Sequence, residues 1–290
     1  MENPSSHKDN YLFLDCGDQK RLESIDGKTF VRQAPQANYS PSPKVSWTSP
    51  DYEFNSAQKS PSWTPPLNAV KTLPDFHCGT LVMEIRLSEN GQIGVYPEQK
   101  LNWDWLNKVI ANAQRPLRIL NGFAYTGGSS IVCAQALGKT DHSEVCHLDA
   151  SSSAVNWAKI NRDKSGLPDD SIRFIVDDIR RFLEREIRRG KFYDGVILDP
   201  PAFGRAKGGK TWVLKRDLSS LMDLCRQILV PNPAFFLLSC HDPEMSKGDL
   251  EQILAETLKA EKSEIETIDL TLNSHAGNSL PNGIAARWRA

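Results

Sequence analysis

No stretch of this sequence approaches the roughly 18 consecutive apolar residues of a membrane span, so a membrane-embedded function is excluded. Net charge is equally scarce. The 35 Lys and Arg residues stand against 36 Asp and Glu, leaving a formal charge of −1, so nothing resembles the global basic field that would hold nucleic acid by charge alone. Any RNA partner has to be gripped locally. The six cysteines, Cys16, Cys78, Cys133, Cys146, Cys225 and Cys240, stand singly without a C-x-x-C pair, which speaks against a zinc or thioredoxin-like centre and leaves no metal site expected. They read as reduced, mostly buried thiols. The opening Met1-Glu2-Asn3-Pro4 has neither the apolar core of a secretory signal nor the acid-poor, Arg-rich character of a transit peptide, so a cytoplasmic location is expected.

What is present is a soluble globular composition, 39% apolar and 24% charged over 290 residues, enough chain for one full-sized core and a satellite. The division expected is a small β-rich module over residues 1–100 and a larger domain over 101–290. In the module, strand-like runs at Tyr11–Leu14 and Gly27–Val31 follow or precede Asp26-Gly27, and runs at Thr80–Leu87 and Gln92–Val95 flank Asn90-Gly91. Asx-Gly between apolar runs is a strong hairpin signal. Eight of the 18 prolines lie between residues 35 and 75, predicting an irregular, extended cover, with Trp47, Tyr52, Phe54 and Trp63 to pack it onto something.

From about residue 117 strands alternate with helices, which predicts an α/β fold with a mostly parallel, Rossmann-like sheet flanked by helices. Strands are expected at Arg118–Leu120, Val145–Leu148, Ile172–Val176, Phe192–Leu198 and Ala234–Ser239. Helices are expected at Ser129–Leu137, Ser152–Asp163, from Asp178 to Arg189, and at Leu214–Leu229. Each of the first four strands delivers a glycine-rich or acidic segment at its C-terminal end, where open α/β sheets bind ligands.

Those segments carry the candidate chemistry. Gly122-Phe123-Ala124-Tyr125-Thr126-Gly127-Gly128 allows a tight turn and close backbone approach, but it is not the G-x-G-x-x-G of pyrophosphate binding, which favours S-adenosylmethionine (SAM) over NAD. An ordinary glycine turn is the plainer reading. Asp149 can accept both ribose hydroxyls of a nucleoside, or it can simply belong to a turn or helix cap. Asp177 or Asp178 can accept from an adenine amino group, with Asp178 preferred, or can cap the following helix. Asp199-Pro200-Pro201-Ala202-Phe203 forms a rigid turn poor in donors, whose carbonyls and carboxylate can face a planar amine or ring while Phe203 stacks on it. Cys240, beside His241, is either a nucleophile or a small buried hydrophobe. Arg205, Lys207 and Lys210, with Trp212, suit phosphate contact and base stacking. The Arg-rich helix over residues 180–191 also carries Glu184 and Glu186 and reads as a solvated face.

Taken together, Leu120 to Gly128, Asp149, Asp177-Asp178, the Asp199–Phe203 turn and Ser239-Cys240 resemble the class I SAM-dependent methyltransferases, in particular the group related to bacterial large-subunit rRNA methyltransferases. The resemblance covers about residues 95–290. It implies SAM as cofactor, a base in ribosomal RNA as acceptor, and a pocket bordered by Gln99, Asn121, Gly122, Phe123, Tyr125, Thr126 and Gly127. It also implies that Asp199, Pro200, Pro201, Phe203 and Cys240 lie near the acceptor. The turn resembles that of amino-nitrogen methyltransferases, whereas Ser-Cys resembles enzymes that methylate carbon 5 of cytosine, so both chemistries stay open. So do a protein or small-molecule acceptor, a silent fold that binds RNA, and a homo-oligomer.

Overall fold

A computed structural model describes residues 9–56, 60–138, 142–205 and 211–290. The chain forms two compact units, one made of residues 1–99 with 271–282 and the other of 100–270 with 283–290.

In the first unit a five-stranded sheet runs in chain order: β1 (Tyr11–Gly17), β2 (Lys20–Ile25), β3 (Lys28–Gln33), β4 (Tyr52–Asn55) and β5 (Ser62–Thr64). All its pairs are antiparallel except β3 with β4. The β2–β3 turn is Asp26-Gly27, both residues at positive φ (49° and 75°), the twist-matching geometry that this dipeptide favours. The proline-rich cover is largely irregular, as its composition predicts, apart from β4 and β5. Phe54 and Trp63 are buried and pack with ring centroids 5.3 Å apart, and Trp63 Nε1 donates to the Ser88 carbonyl at 2.8 Å. The Asn90-Gly91 turn is present, with Ser88 N–H bonded to the Gln92 carbonyl, but the expected long strand shrinks to β7 (Leu81–Met83). Its partner is β6 (Phe76–Cys78), paired through Gly79.

A buried ionic group lies within this unit: the Arg32 guanidinium donates to both Glu23 oxygens (2.7 and 3.0 Å), and Tyr11 Oη donates to Oε1. Burial alone would raise the pKa of Glu23, but Arg21 and Arg32 outweigh it and hold the carboxyl ionised.

The second unit opens with α1 (Lys100–Asn112) and then alternates: β8 (Arg118–Gly122), α2 (Gly128–Leu137), β9 (Glu144–Asp149), α3 (Ser152–Lys164), β10 (Arg173–Val176), α4 (Ile179–Arg188) and β11 (Gly195–Leu198). A short antiparallel pair, β12 (Phe203–Arg205) and β13 (Thr211–Val213), precedes α5 (Leu214–Gln227), β14 (Phe235–Cys240) and α6 (Lys247–Leu258). The chain closes with β15 (Glu266–Asn273) and β16 (Ser279–Arg289), whose outer ends fall in the first unit. The sheet order is β10-β9-β8-β11-β14-β16-β15, parallel from β10 through β14, with β16 antiparallel to β14.

The two-residue period of a strand sorts this sheet's side chains into two layers. Leu120, Leu148, Val196, Leu198, Leu238 and Cys240 pack into one cluster with Ile179, Phe182, Leu218 and Leu250 from α4, α5 and α6. The alternate positions include polar side chains turned towards the other layer: Asn121 Nδ2 donates to Ser130 Oγ in α2 at 2.9 Å, Ser130 Oγ lies 3.0 Å from His147 Nδ1, and Asn102 Nδ2 in α1 donates to Ser239 Oγ at 3.2 Å. Arg287 completes that second network through two bonds to Asn102 Oδ1. All six side chains are buried, so the hydrogen bonds are needed to offset their desolvation.

Candidate active site

From β8 the chain builds β9 and β10 on one side and β11 and β14 on the other, so the C-terminal edge of β8 is the topological switch point where an open sheet leaves a crevice. The loop that leaves β8 is bent tightly. Phe123 and Tyr125 both adopt positive φ (57° and 46°), a conformation that costs a non-glycine residue roughly 1–3 kcal/mol and persists only where neighbours over-determine it. They do so here. Ala124 N–H donates to the Leu148 carbonyl, Tyr125 N–H to Asp149 Oδ2 at 2.9 Å, and Asn161 Nδ2 to the Thr126 carbonyl at 2.8 Å.

Gly127 ends the loop at φ 91°, and a Cβ there would stand 2.9 Å from the Ala158 methyl. A Cβ on Gly122 would lie 2.7 Å from Ile179 Cδ1 and 3.0 Å from Leu198 Cδ2, so a side chain there would have to displace core side-chain ends. Asn121 turns its side chain to Ser130, and Thr126 is buried. Gln99 belongs to the first unit, at the end of a short turn of helix, Pro97–Gln99.

Asp149 is the clamp of this loop. Its Oδ1 accepts from Ser151 N–H at 2.8 Å while Oδ2 takes Tyr125, and the cap of α3 is Ser151 rather than the aspartate. Burial raises the Asp149 pKa, opposed by these N–H bonds. Of the roughly four lone-pair sites of a carboxylate, the N–H groups of Tyr125, Ala150 and Ser151 engage at most three.

At the end of β10 the capping role expected as the plainer alternative is realised: Asp178 Oδ1 accepts from Arg180 and Arg181 N–H at the N-terminus of α4, and Oδ2 takes part in neither bond. Asp177 is ion-paired with Arg185 and accepts from Asp178 N–H.

On the other side of the switch point, Asp199 follows β11 with its Oδ1 3.3 Å from His241 Nε2. The Pro-Pro turn is less open than expected. Trp212 Nε1 donates to the Pro201 carbonyl at 2.7 Å and Leu214 N–H to that of Ala202 at 3.0 Å, because the β12–β13 pair folds back over the turn. This brings Trp212 to 5.3 Å from the Phe123 ring and places the Arg180 guanidinium 5.4 Å over the indole, a cation–π contact. Phe203, at 57% exposure, presents its ring to solvent.

Cys240 lies among the apolar residues of the core at 1% exposure, and burial pushes its thiol up to about 11. The arrangement is that of a small buried hydrophobe. The side chain of Arg205 and all of Lys207 and Lys210 lie outside the described residues.

The sequence pattern does not mark Asn161, Ser130 and His147, which brace the glycine loop, and it places Arg180 on a solvated helix face rather than over Trp212. Nothing in a one-dimensional pattern marks them, because each acts on a segment 9 to 35 residues away in the chain.

With that geometry in place, comparison with known proteins defines the class. The family model for S-adenosylmethionine-dependent methyltransferases matches residues 65–270. A crystal structure of the SAM-dependent methyltransferase from Agrobacterium tumefaciens superposes with a TM-score of 0.87 at 31% identity, over 98% of this chain and 92% of that one. A protein from Streptococcus mutans described as a SAM-dependent methyltransferase shares the fold at TM-score 0.72 and 13% identity, over 98% and 76% of the two chains. This chain belongs to the SAM-dependent methyltransferases, and its cofactor is SAM.

Among curated relatives, ribosomal RNA large subunit methyltransferase I of Photobacterium profundum is 31% identical over 152 residues, 52% of this chain and 37% of the relative. Its counterpart in Aeromonas salmonicida is 27% identical over 67% of this chain and 42% of the relative. The matched stretch thus spans less than half the length of those proteins.

The residues fit the cofactor chemically. Two acidic strand ends offer acceptors for hydroxyl and amino hydrogens, and Phe123 and Tyr125 offer ring faces. Among the described residues no cluster of three or more His, Cys, Asp or Glu could hold a metal, and no helix is long and apolar enough to cross a membrane.

Proposed function

We propose that this enzyme transfers the methyl group of SAM to a base of large-subunit ribosomal RNA. The observation that carries the proposal is the acceptor side of the crevice: a carboxylate, Asp199, beside a proline turn whose flank bears one exposed aromatic ring, Phe203, and a second, Trp212, overlaid by a guanidinium. Flat rings next to a hydrogen-bonding carboxylate suit a nucleobase drawn out of its stack. The names of the curated relatives point to the same substrate class.

In this reading Asp149 accepts from the ribose hydroxyls of SAM, and Asp178 through Oδ2, with Asp177 beside it, accepts from the adenine amino group. The loop from Gly122 to Gly127 borders the cofactor, and Asn121 supports that loop from below through Ser130. SAM, when bound, supplies the electrophilic methyl group. Asp199 and the backbone of Pro200 orient the acceptor atom, Phe203 stacks on the base, and Arg205, Lys207 and Lys210 contact flanking phosphates. Burial and protonation of Cys240 support direct transfer, without a covalent enzyme–base intermediate.

The test is calorimetric titration with SAM followed by transfer of radiolabelled methyl groups to ribosomal RNA stripped of modifications. Label in the large-subunit RNA is the expected result. SAM binding without label in RNA moves the acceptor to a protein or small molecule, and absence of SAM binding leaves a silent fold that binds RNA.

A further inference from the structure

We infer that His241 is the positioning residue for Asp199: its imidazole, seated against Gly283, poises Nε2 3.3 Å from Asp199 Oδ1 as the donor that orients the carboxylate for the acceptor base. The inference rests on the role of Asp199 proposed above.

The arrangement begins with register. β11 and β14 are parallel neighbours with Leu198 opposite Leu238, so the residues that leave the two strands stand side by side at the same edge of the sheet. The alternation of side chains then separates neighbours in sequence. Cys240, at an even position, is drawn into the apolar cluster under α5 and α6, whereas His241 leaves the sheet at its edge and swings to Asp199, with Nε2 3.3 Å from Oδ1. Both side chains are about one-third exposed, enough to be reached by a ligand and too little to move freely.

The seat of the ring is specific. Gly283 on β16 has φ 143°, and a Cβ at that position would lie 2.7 Å from His241 Nδ1, 3.0 Å from Cε1 and 2.9 Å from the Cys240 carbonyl. Any side chain there would displace the imidazole. With Nδ1 against the bare glycine, Nε2 is the nitrogen aimed at the carboxylate. The nearest acidic neighbour in sequence, Asp242, is occupied elsewhere, accepting from Glu244 N–H through Oδ1.

A carboxylate with a single free rotor has several orientations, and a ring nitrogen 3.3 Å from Oδ1 restricts them. Placement of this kind is worth roughly 10- to 100-fold in rate when lost, and it acts on turnover more than on binding.

The experiment uses the full-length enzyme with SAM and unmodified ribosomal RNA. His241→Phe, which keeps a planar ring and removes the donor, is expected to lower kcat about 10- to 100-fold, with the Kd for SAM and the KM for RNA within about twofold. His241→Gln, whose carboxamide N–H can reach the same oxygen, is expected to recover most of that loss. Wild-type kcat in His241→Phe overturns the inference, and so does a glutamine variant as impaired as phenylalanine, which would make the imidazole a proton acceptor instead.

Nitrogen-15 NMR of the His241 ring in the unaltered protein is independent of whether any variant folds: a proton on Nε2 is expected, and a proton confined to Nδ1 contradicts the assignment. Asp199→Ala keeps the two ideas apart. An active Asp199→Ala enzyme removes the reading of Asp199 itself, whereas an inactive Asp199→Ala beside a fully active His241→Phe removes only the role of His241.

Discussion

The two halves of the crevice are built by different means. On the β9–β10 side each carboxylate is tied to backbone N–H groups: Asp149 by Tyr125 and Ser151, Asp178 by Arg180 and Arg181, Asp177 by Asp178. On the β11–β14 side the carboxylate of Asp199 faces a side chain, His241, with Trp212 tilted against Phe123 at 5.3 Å and Phe203 exposed. Backbone bonds hold a fixed pocket for a ligand that never changes. Side chains that meet one another make a surface that can be altered residue by residue without disturbing the loop beneath. The first half therefore suits a constant cofactor and the second a particular acceptor.

The sharpest way to break this contrast is Asp199→Ala. It is expected to lower methyl transfer by roughly 10²–10³-fold or more while the Kd for SAM, measured by calorimetry, stays within about twofold. Comparable loss of SAM affinity would put Asp199 in the cofactor half.

Asp149→Ala should do the opposite. Losing charge-assisted bonds on the cofactor side is expected to weaken SAM by about 10- to 100-fold and to loosen the glycine loop.

The brace under that loop carries its own signature in pH. Burial pushes the His147 pKa from its ordinary 6.5 down to about 3. The unfolded chain then takes up a proton that the folded chain refuses, so stability is lost as pH falls from about 6.5 towards about 3, by about 1.4 kcal/mol per pH unit. His147→Gln should flatten that dependence, read as the difference in melting temperature between about pH 7 and about pH 5.

Gly122→Ala, which drives a methyl into Ile179 and Leu198, is expected to cost about 1–3 kcal/mol and a few degrees of melting temperature. The smallest effect expected is that of Cys240→Ala: activity within a few-fold of wild type and a stability loss on the order of 1 kcal/mol. Abolished transfer in a folded Cys240→Ala protein would instead give the acceptor half a covalent nucleophile.

Much of this was readable beforehand, and for a clear reason. In a parallel sheet each strand is continuously apolar and its ligand-facing edge is a polar or glycine-rich break, so strand ends announce themselves locally. Gly127, Asp149, Asp178 and Asp199 are legible at strand ends in that way. The breaks do not say what each side chain is bonded to. That Asp178 spends one oxygen on a helix cap, that Trp212 takes the Pro201 carbonyl, and that Asn121 points away towards Ser130 all depend on partners brought in by folding. The proline-rich cover is largely irregular with packed aromatics, as composition predicts, and what composition does not mark is its two short strands, β4 and β5.

By itself the sequence determined the alternation of strand and helix, the order of the acidic strand ends, and the absence of a pyrophosphate fingerprint, since each is a property of residues close together along the chain. Only the tertiary structure decided which neighbours those residues acquired. It placed residues 271–282 with the N-terminal unit, set Gly283 behind the ring of His241, and divided Cys240 from His241, one into the core and the other to the site. The physical reason is register: contacts between strands far apart in sequence are set by sheet pairing and by which face each residue turns, and a single-residue step reverses the outcome.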